Sequence, residues 1–413
     1  MATWRLSVRR VLFGAGLALT AIELSMFGIA DAGGALTLSG RISGVIFLVA
    51  ALTEIAAIIA FRDQLGPRPA KHSSLLILTG VLISLIMNLT LLALQLDSRS
   101  YTHLLWVWIV LFPWSCWALW QIHRSGVWGI LPRTKSLAVG AVATSLLAVA
   151  NFTYAQIYQP YNSPALVTAT AEFGKVITLK EGGAAAISLR LRVKNTGKVG
   201  VYILGSLYHV AGEKASFSNH QRTLQDWKEV LDGGERELSL YTRRGARDMV
   251  AQGEFIGAGA VLEPGVEIVT ERVIRFPSDS RYDVIGIDGE VVFLRKDRGT
   301  IVFFEKSPKG DLPLPFDAYD VIVGYKARIY QSTAVLEFTR APQYARVWWV
   351  TEKKVAKSAR SALLANVAPE GENPAPQLLS EQLRRVEDRY GLGSSFIGVA
   401  DKSLKELMDQ KRS

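Results

Sequence analysis

The chain has 413 residues, too many for one ordinary domain, and its character changes near residue 160. Residues 1–158 hold eleven Lys or Arg and five Asp or Glu, against 36 and 32 in the remainder, so the net charge of +10 is shared by both halves. This mild excess without a basic run argues against nucleic-acid binding. The single cysteine, Cys116, excludes an intramolecular disulfide and any metal site built on several thiolates.

Five apolar runs come first, each with about the 20 residues that a helix needs to cross a bilayer. Short polar links separate them, so we interpret the runs as transmembrane helices rather than as buried helices of a soluble protein. They cover residues 11–30, 42–61, 74–96, 102–122 and 137–158. The sequence therefore predicts a five-helix domain over residues 1–158 that contacts the lipid bilayer.

The basic residues predict the orientation of this domain. Nine Lys or Arg lie before the first run and in the links after the second and fourth runs, whereas only Arg41 and Arg99 lie in the other links. The positive-inside rule then puts the amino terminus in the cytoplasm and everything after Tyr158 outside. Ala30-Asp31-Ala32 has the form of a signal-peptidase site, but the first run is longer than a usual cleaved signal, which favours its retention.

Two glutamates, Glu23 and Glu54, lie inside the apolar runs, where no Lys or Arg can neutralise them. We expect both to be protonated, because an ionised carboxylate is costly in lipid. Counting residues along each helix from its cytoplasmic basic residues gives the depth of each polar group in the membrane. Glu23 is predicted to lie level with Asn88 and Asn151 in the outer half, where it could hydrogen-bond to either, and Glu54 is predicted to lie in the inner half. Conduction is the alternative to this bonding role; the different depths and the lack of a continuous chain of polar groups weigh against it.

Other polar and aromatic residues in the runs have structural explanations. One face of the third run carries small or polar residues at helical spacing, which is typical of close helix packing in lipid. They are Ser73, Gly80, Ser84, Asn88 and Gln95. In the fourth run, we assign Trp106, Trp108 and Trp120 to aromatic belts at the membrane surfaces.

From about residue 165 to 350 the pattern alternates with a period of two, as in strands with one buried face. The clearest case puts Ile187, Leu189, Leu191 and Val193 on one side, and Asn195-Thr196-Gly197 then predicts a hairpin to a strand from Val199. Further strands are predicted over residues 235–241, 266–276, 284–295, 300–305, 320–330 and 344–350. We predict an all-β, immunoglobulin-like sandwich over residues 159–351.

The end of the chain, residues 352–413, is predicted to be a helical segment interrupted by a linker rich in Pro and Gly. Residues 353–367 are Ala-rich, and the segment from Pro376 to Tyr390 has an apolar face at helical spacing. Gly391 follows in the position of a helix cap.

A search for catalytic motifs gives none with the required spacing, and we expect no cofactor and no metal. His209 and His220 are the only histidines after residue 158, and structural roles are favoured for both. Asp283, Asp288 and Glu290 cluster in YDVIGIDGE, where strand alternation and an Asp-Gly turn account for them.

These observations predict a multi-pass cell-membrane protein. The part after Tyr158 lacks both cysteine and an Asn-x-Ser/Thr acceptor, which favours a bacterial envelope. The leading hypothesis is a non-enzymatic protein that presents an extracytoplasmic β-sandwich to a protein partner, an envelope polymer or a neighbouring subunit. The alternatives are a transporter or ion-coupled component that uses Glu23 and Glu54, and, remotely, an exterior hydrolase that uses His209 or His220.

Overall fold

In a computed structural model of the chain, the structure describes residues 2–64, 73–98, 101–124, 150, 154, 165–178, 185–217, 223–225, 228, 241–244, 248–276, 282–302, 305–306, 319–352, 361–370, 381–404 and 407. The chain divides into two compact units. The first comprises Met1–Ser163, Asp297–Thr300 and Ile329–Gln343, and the second comprises Pro164–Lys296, Ile301–Arg328 and Tyr344–Ser413. The predicted boundary at Tyr158 lies outside the described residues.

The first unit is built on four long helices. They are α1 (Ala2–Gly34), α2 (Leu38–Gln64), α3 (Ser73–Ser98) and α4 (Leu105–Arg124). Each contains a stretch long and apolar enough to cross a membrane, as predicted for the first four runs. The fifth predicted run, residues 137–158, lies almost wholly outside the described residues, so it stays a prediction.

Glycines allow these helices to approach closely. A Cβ on Gly44 of α2 would lie 2.2 Å from the backbone nitrogen of Ala32 on α1, and one on Gly80 of α3 would lie 2.5 Å from Cβ of Ala57. The predicted polar face of α3 is turned into the bundle, where all five of its residues are buried. Small residues at such contacts are how helices pack in lipid, where no hydrophobic effect drives them together.

The second unit is rich in strands. They are β1 (Val167–Thr178), β2 (Ala185–Asn195), β3 (Val201–Glu213), β4 (Ala215–Phe217), β5 (Tyr241–Arg244), β6 (Asp248–Gly253), β7 (Val261–Leu262), β8 (Glu267–Phe276), β9 (Val284–Arg295), β10 (Gly299–Ile301), β11 (Glu305–Lys306), β12 (Tyr319–Gln331), β13 (Gln343–Glu352), β14 (Ser361–Pro369) and β15 (Gly393–Ser403). Two short helices lie between the strands in the described part of the chain, α5 (Ala334–Thr339) and α6 (Glu381–Tyr390). The ends of β10, β12 and β13 and all of α5 belong to the first unit.

The strands form three main sheets. The first sheet has the order β1-β2-β8, and the central sheet has the order β15-β9-β3-β6 with β7 also on β3. The third sheet has the order β10-β12-β13-β14 with β11 on β12, and β4 pairs with β5. The strand pairs of the first and central sheets are antiparallel.

One hydrophobic core joins the first and central sheets. Alternate residues of β2 point into it, including Ile187, Leu189, Leu191 and Val193, which are all fully buried as predicted. Strand β3 is buried on both faces, because its other face packs on the third sheet, where Val347 and Leu363 lie close to Gly205. The central sheet is therefore covered on both sides, unlike a simple sandwich whose outer faces meet water.

The predicted hairpin after Asn195 is wrong. Strand β2 pairs with β1 and β8, whereas β3 pairs with β9, β6 and β7, so the connection passes from one sheet to another. Asn195 holds this connection in place, because its buried side chain donates to the carbonyl oxygens of Val199 at 2.8 Å and Leu262 at 2.9 Å and accepts from Gly197 N–H at 3.0 Å. The turn residues were recognised correctly, but a side-chain turn of this kind does not return the chain to its own sheet.

The helical prediction for the end of the chain is correct only in part. Helix α6 ends at Tyr390, and Gly391 follows with a φ of 64°, as predicted for a glycine that caps a helix. Residues 361–369 and 393–403 are strands, because pairing with neighbouring strands overrides the weak helical preference of the Ala-rich segment. The predicted turn at Asp288-Gly289 is also wrong, since both residues lie inside β9.

Candidate functional site in the helix bundle

Glu54 has the least exposed side chain of the described acids in the bundle. Its side chain, on α2, has no exposed surface, and its Oε1 accepts a hydrogen bond of 2.7 Å from the hydroxyl of Ser84 on α3. Its Oε2 has no hydrogen-bond partner among the described residues. A fully buried carboxyl group with one oxygen that accepts no hydrogen bond lowers the stability of the fold. Such a group either is tolerated for the packing around it or has a function.

Asn88 lies one helical turn further along α3 and connects three helices. Its Nδ2 donates to Oγ of Ser115 on α4 at 3.1 Å and lies 3.5 Å from Oγ1 of Thr20 on α1. Both hydroxyls donate in turn to carbonyl oxygens of their own helices. Oδ1 of Asn88 has no partner among the described residues, so a second buried acceptor is unused.

Glu23 lies almost one turn beyond Thr20 on α1. Its Oε1 accepts a hydrogen bond from the indole N–H of Trp108 on α4, and its Oε2 is buried without a described partner. The assignment of Trp108 to an aromatic belt is therefore wrong, since this side chain has no exposed surface. Trp106 is 70% exposed and Trp120 is 46% exposed, as belt residues would be.

These groups form three layers that we call the polar ladder: Glu54 with Ser84, Asn88 with Ser115 and Thr20, and Glu23 with Trp108. Ser84 and Asn88 are separated by about 6 Å along α3, at 1.5 Å per residue. No described hydrogen bond joins one layer to the next, so the expected lack of a continuous chain of polar groups, which weighed against conduction, stays a prediction. The sequence could not predict these layers, because Thr20, Ser115 and Trp108 are ordinary residues of apolar helices until the packing brings them together.

The predicted cluster of Glu23, Asn88 and Asn151 differs from the observed contacts. Glu23 bonds to Trp108, seven residues before Ser115 on α4, so along that helix the Glu23 layer lies about 10 Å from the Asn88 layer. Asn88 bonds to hydroxyls and not to Glu23. Asn151 lies outside the described residues. Glu54 stands one turn from Asn88 on the opposite side from Glu23, so the two acids do lie at different depths.

The ladder permits two kinds of chemistry. A neutral glutamic acid can accept through one oxygen and donate through the other, so Glu54 can accept from Ser84 and donate from Oε2 to water or to an amide oxygen. The unused Oδ1 of Asn88 is such an acceptor on the adjacent layer. The same groups can serve as hydrogen-bonded packing between helices or as sites through which a proton passes.

The end of the bundle where α1 and α3 finish is closed by residues 329–343, which we call the clamp segment. The backbone N–H of Ala334 donates to the buried carboxylate of Asp31, and Leu36 N–H donates to Ser332 O at 3.1 Å. The hydroxyl of Thr102 lies 2.9 Å from Phe338 O. The sequence linked Asp31 only to a signal-like motif, since a contact across 303 residues leaves no local pattern.

An apolar groove beside the ladder offers no free hydrogen-bond donor. It encloses about 440 Å³, including its open mouth, between α1, α2, α3 and Val335 of the clamp segment. Its two hydroxyls, on Ser43 and Thr90, donate to carbonyl oxygens of their own helices. The groove is therefore apolar packing space rather than a polar binding site.

Among the described residues of the second unit, a histidine and an aspartate form a buried pair. His209 on β3 and Asp288 on β9 are opposite residues in the sheet, both 5% exposed, with His209 Nδ1 3.0 Å from Asp288 Oδ1. Nε2 of His209 has no partner among the described residues, and His220 lies outside them. Within the described ranges, no group of three or more His, Cys, Asp or Glu could hold a metal ion. This pair connects two strands of the central sheet.

No family model and no curated protein matches the sequence. Among solved structures, the chain is similar to the putative ApaA protein from Bordetella pertussis, with 11% identity, coverage of 32% of this chain and 83% of that chain, and a TM-score of 0.20. It is also similar to Spo0M, a sporulation control protein from Bacillus subtilis, with 8% identity, coverage of 54% of this chain and 98% of that chain, and a TM-score of 0.18. At these TM-scores the likenesses carry no argument about fold or function.

Proposed function

We propose that this chain is an integral membrane protein of a cell envelope, with five crossings and a non-enzymatic β-rich body outside the cytoplasm that assembles with a protein or polymer partner. The observation that carries the proposal is the clamp segment. Strand β12 runs into this segment and β13 leaves it, so the chain between these two strands contacts the end of the bundle where α1 and α3 finish.

The clamp segment supports a fifth crossing. Thr102, three residues before the start of α4, contacts the clamp segment, and the 20 residues of α4 carry the chain about 30 Å to Arg124 at the opposite end. The chain must therefore travel back along the bundle before it reaches Ile329. The apolar run at residues 137–158 is long enough to do so within the membrane.

The orientation follows from charge. The ends of the bundle away from the clamp segment carry Arg9, Arg10, Arg62 and Arg124, whereas the clamped end carries Arg41. Basic residues favour the cytoplasmic side, so the clamped end is proposed to face outward. The β-rich body is proposed to be on the same side of the membrane, because β12 and β13 continue the chain from the clamp segment. An immunoglobulin-like sandwich within that body is supported by two antiparallel sheets that share one core.

Labelling of single cysteines tests the orientation. With Cys116→Ser as background, Lys198→Cys in the β-rich unit and Gln64→Cys at the end of α2 would each be treated with a membrane-impermeant maleimide on intact spheroplasts. We expect labelling of Lys198→Cys before permeabilisation and of Gln64→Cys only afterwards. The reverse order would overturn the exterior placement. Crosslinking of the full chain in native membranes, followed by purification, tests assembly; recovery of no crosslinked partner would count against that role.

Ion or proton coupling is the second candidate function, and the polar ladder favours it. Glu23, Glu54 and Asn88 each bury an oxygen without a partner among the described residues, an arrangement that costs stability unless water or a proton uses it. Flux into proteoliposomes of the full chain tests this role. We expect Glu54→Gln to abolish flux. Thr53→Val should leave flux unchanged, because among the described residues the Thr53 hydroxyl bonds only to a carbonyl oxygen of its own helix. Equal flux in both variants would eliminate the second candidate.

A further inference from the structure

Strand β8 forms a regular edge of the first sheet. It pairs with β2 through ten consecutive residues, from Glu267 to Phe276, without a register shift. No described strand pairs with its other side. Edge strands are usually protected by bulges, prolines or charged side chains, lysine above all, because their free backbone groups can pair with another chain. The sequence of β8, EIVTERVIRF, contains neither proline nor lysine, and its charged residues are two glutamates and two arginines, which can pair with one another across strands.

The other end strands of the same two sheets are less regular. The pairing of β1 with β2 shifts between Phe173 and Val176, and that of β6 with β3 shifts between Val210 and Ala211. Such irregularities bend a strand and interrupt its free edge. The pairing of β15, the remaining end strand, with β9 also shifts, between Ile397 and Ala400. Strand β8 is therefore the most suitable of the four end strands of these sheets for pairing with a further strand.

The outward face of β8 also exposes apolar side chains. Val269 is 50% exposed and Val273 is 65% exposed, and both lie on the face that carries Glu267, Glu271 and Arg275. On β2, four of the five neighbours of this face are polar or charged, including Arg192 opposite Val269 and Arg190 opposite Glu271, and the fifth is Ala186. The two valines thus interrupt a charged surface beside an unpaired edge, where an added strand would cover them.

The side chains of β8 match those of a second β8. When two copies of β8 pair antiparallel and continue one sheet, opposite residues must point to the same face. Neighbouring allowed registers therefore differ by a shift of two residues, which we call one step. The register centred on Glu271 puts Glu267 opposite Arg275 of the second copy and Val269 opposite Val273 of the second copy. A shift of one step in either direction instead puts Val273 opposite Glu267, or Val269 opposite Arg275.

The remaining pairs in this register are acceptable. Ile268 meets Ile274 of the second copy on the inner face. The two Glu271 side chains would face one another, but each already accepts a hydrogen bond of 2.7 Å from Arg190 of its own chain. Since opposite charges across strands are favourable, this register is favoured over those shifted by one step. The register centred on Val273 would also put Glu271 opposite Arg275, but it pairs fewer residues of β8 than the register centred on Glu271.

We propose that β8 is the interface between two copies of this chain, paired antiparallel about Glu271, so that their first sheets join into one six-stranded sheet. This inference rests on the proposed function and deepens it, because it identifies a partner of the β-rich body as a second copy. Anchoring in the same membrane would favour the contact by raising the local concentration of the partner strand.

Cysteine crosslinking in native membranes tests the interface and its register. In the Cys116→Ser background, Glu271→Cys would be opposite its own copy, whereas Glu172→Cys on β1 is a matched control on the same face. Directly opposed residues have Cβ atoms about 5 Å apart, so mild oxidation should give about ten-fold more dimer with Glu271→Cys than with the control. Val269→Cys mixed with Val273→Cys should crosslink more than either variant alone.

Each outcome of this experiment decides between the proposals. Equal crosslinking of Glu271→Cys and Glu172→Cys would overturn the β8 interface, as would stronger crosslinking of Val269→Cys with itself than with Val273→Cys. Suppose that no β8 dimer forms, that Lys198→Cys is labelled from outside, and that crosslinking in native membranes captures a different protein. The proposed function then stands and the β8 interface is wrong. If Lys198→Cys is reached only after permeabilisation, the exterior assembly role fails, whatever β8 does.

Discussion

Buried acids occur in both units of this protein, but their partners differ. In the helix bundle, Glu54 and Glu23 are each bonded by a neutral donor, the hydroxyl of Ser84 and the indole of Trp108. In the β-rich unit, Asp288 lies 3.0 Å from the imidazole of His209, a group that can carry charge. Each acid of the bundle keeps one buried oxygen unused among the described residues, whereas Asp288 has further interactions.

This difference teaches how the surroundings decide which partner an acid needs. A helix surrounded by lipid carries few cations, so an intramembrane acid is kept neutral and is satisfied by hydroxyl, amide or indole groups. A folded unit in water can place an ionisable partner next to a buried acid. The identity of the donor therefore indicates the charge state expected of each acid, and changes to the donors test that comparison.

The largest effect is expected in the bundle from Trp108→Ala. The change removes a large, fully buried side chain and the only described donor to Glu23, and core Trp→Ala changes typically cost about 3–5 kcal/mol. Trp106→Ala, at a 70% exposed position two residues away, is the control and should change stability by about 0.5 kcal/mol or less. Thermal unfolding of the full chain in nanodiscs, followed by circular dichroism, measures both.

Trp108→Phe separates packing from hydrogen bonding in the same experiment. It keeps most of the ring but leaves Glu23 without its indole donor, so we expect a loss of about 1–3 kcal/mol, between those of the other two variants. Equal stability of Trp108→Phe and the unchanged protein would show that the bond to Glu23 contributes little.

In the β-rich unit, Asp288→Ala is expected to be the next most damaging change. It leaves Nδ1 of His209 buried without its partner, and an unsatisfied buried polar group costs about 1–3 kcal/mol. Glu172→Ala on β1 removes an exposed acid from its contact with Arg192 and should change stability by less than about 1 kcal/mol. Unfolding by urea, followed by near-ultraviolet circular dichroism, compares them; equal losses would mean that burial does not strengthen the pair.

Local patterns in the sequence predicted much of the fold. Apolar runs without Lys or Arg predicted the four described helices, and alternation predicted strands such as β9, whose observed bounds, Val284–Arg295, are those predicted. The polar face of α3 was also found by spacing, because a helix shows the same face every three or four residues. These features depend on residues close together in the chain.

Contacts between distant residues could not be predicted in the same way. The hairpin after Asn195 failed because the sequence identifies a turn but does not specify the sheet to which the next strand belongs. The partner of Glu23 was missed because Trp108 lies 85 positions away in another apolar helix, where a belt position explains a tryptophan equally well. The capping of Ala334 by Asp31 depends on the packing of both halves of the chain and has no counterpart in any short motif.

The smallest effects are expected from two surface acids of the β-rich unit, and they should have opposite signs. Partial burial raises the pKa of Glu254, although the N–H of Ala258 opposes this. Hydrogen bonding to Lys326, and then its positive charge, lowers the pKa of Glu370 below its usual 4.5. A lowered pKa stabilises the folded state above the unfolded pKa, and this contribution is lost as the pH falls through the folded value. A raised pKa has the reverse effect, because the folded state then binds the proton more readily.

At pH 7 we therefore expect Glu254→Gln to raise the melting temperature slightly and Glu370→Gln to lower it slightly. Both differences in melting temperature should become smaller as the pH is lowered. The difference for Glu254→Gln should begin to shrink at a higher pH than that for Glu370→Gln, because the pKa of Glu254 is raised. The effects are small since exposed groups are screened by water, and added salt should weaken the Glu370 effect first. Melting curves of the full chain between pH 3 and pH 7, in about half-unit steps, would resolve the two signs. If both variants shifted in the same direction, partial burial would not be what distinguishes these two acids.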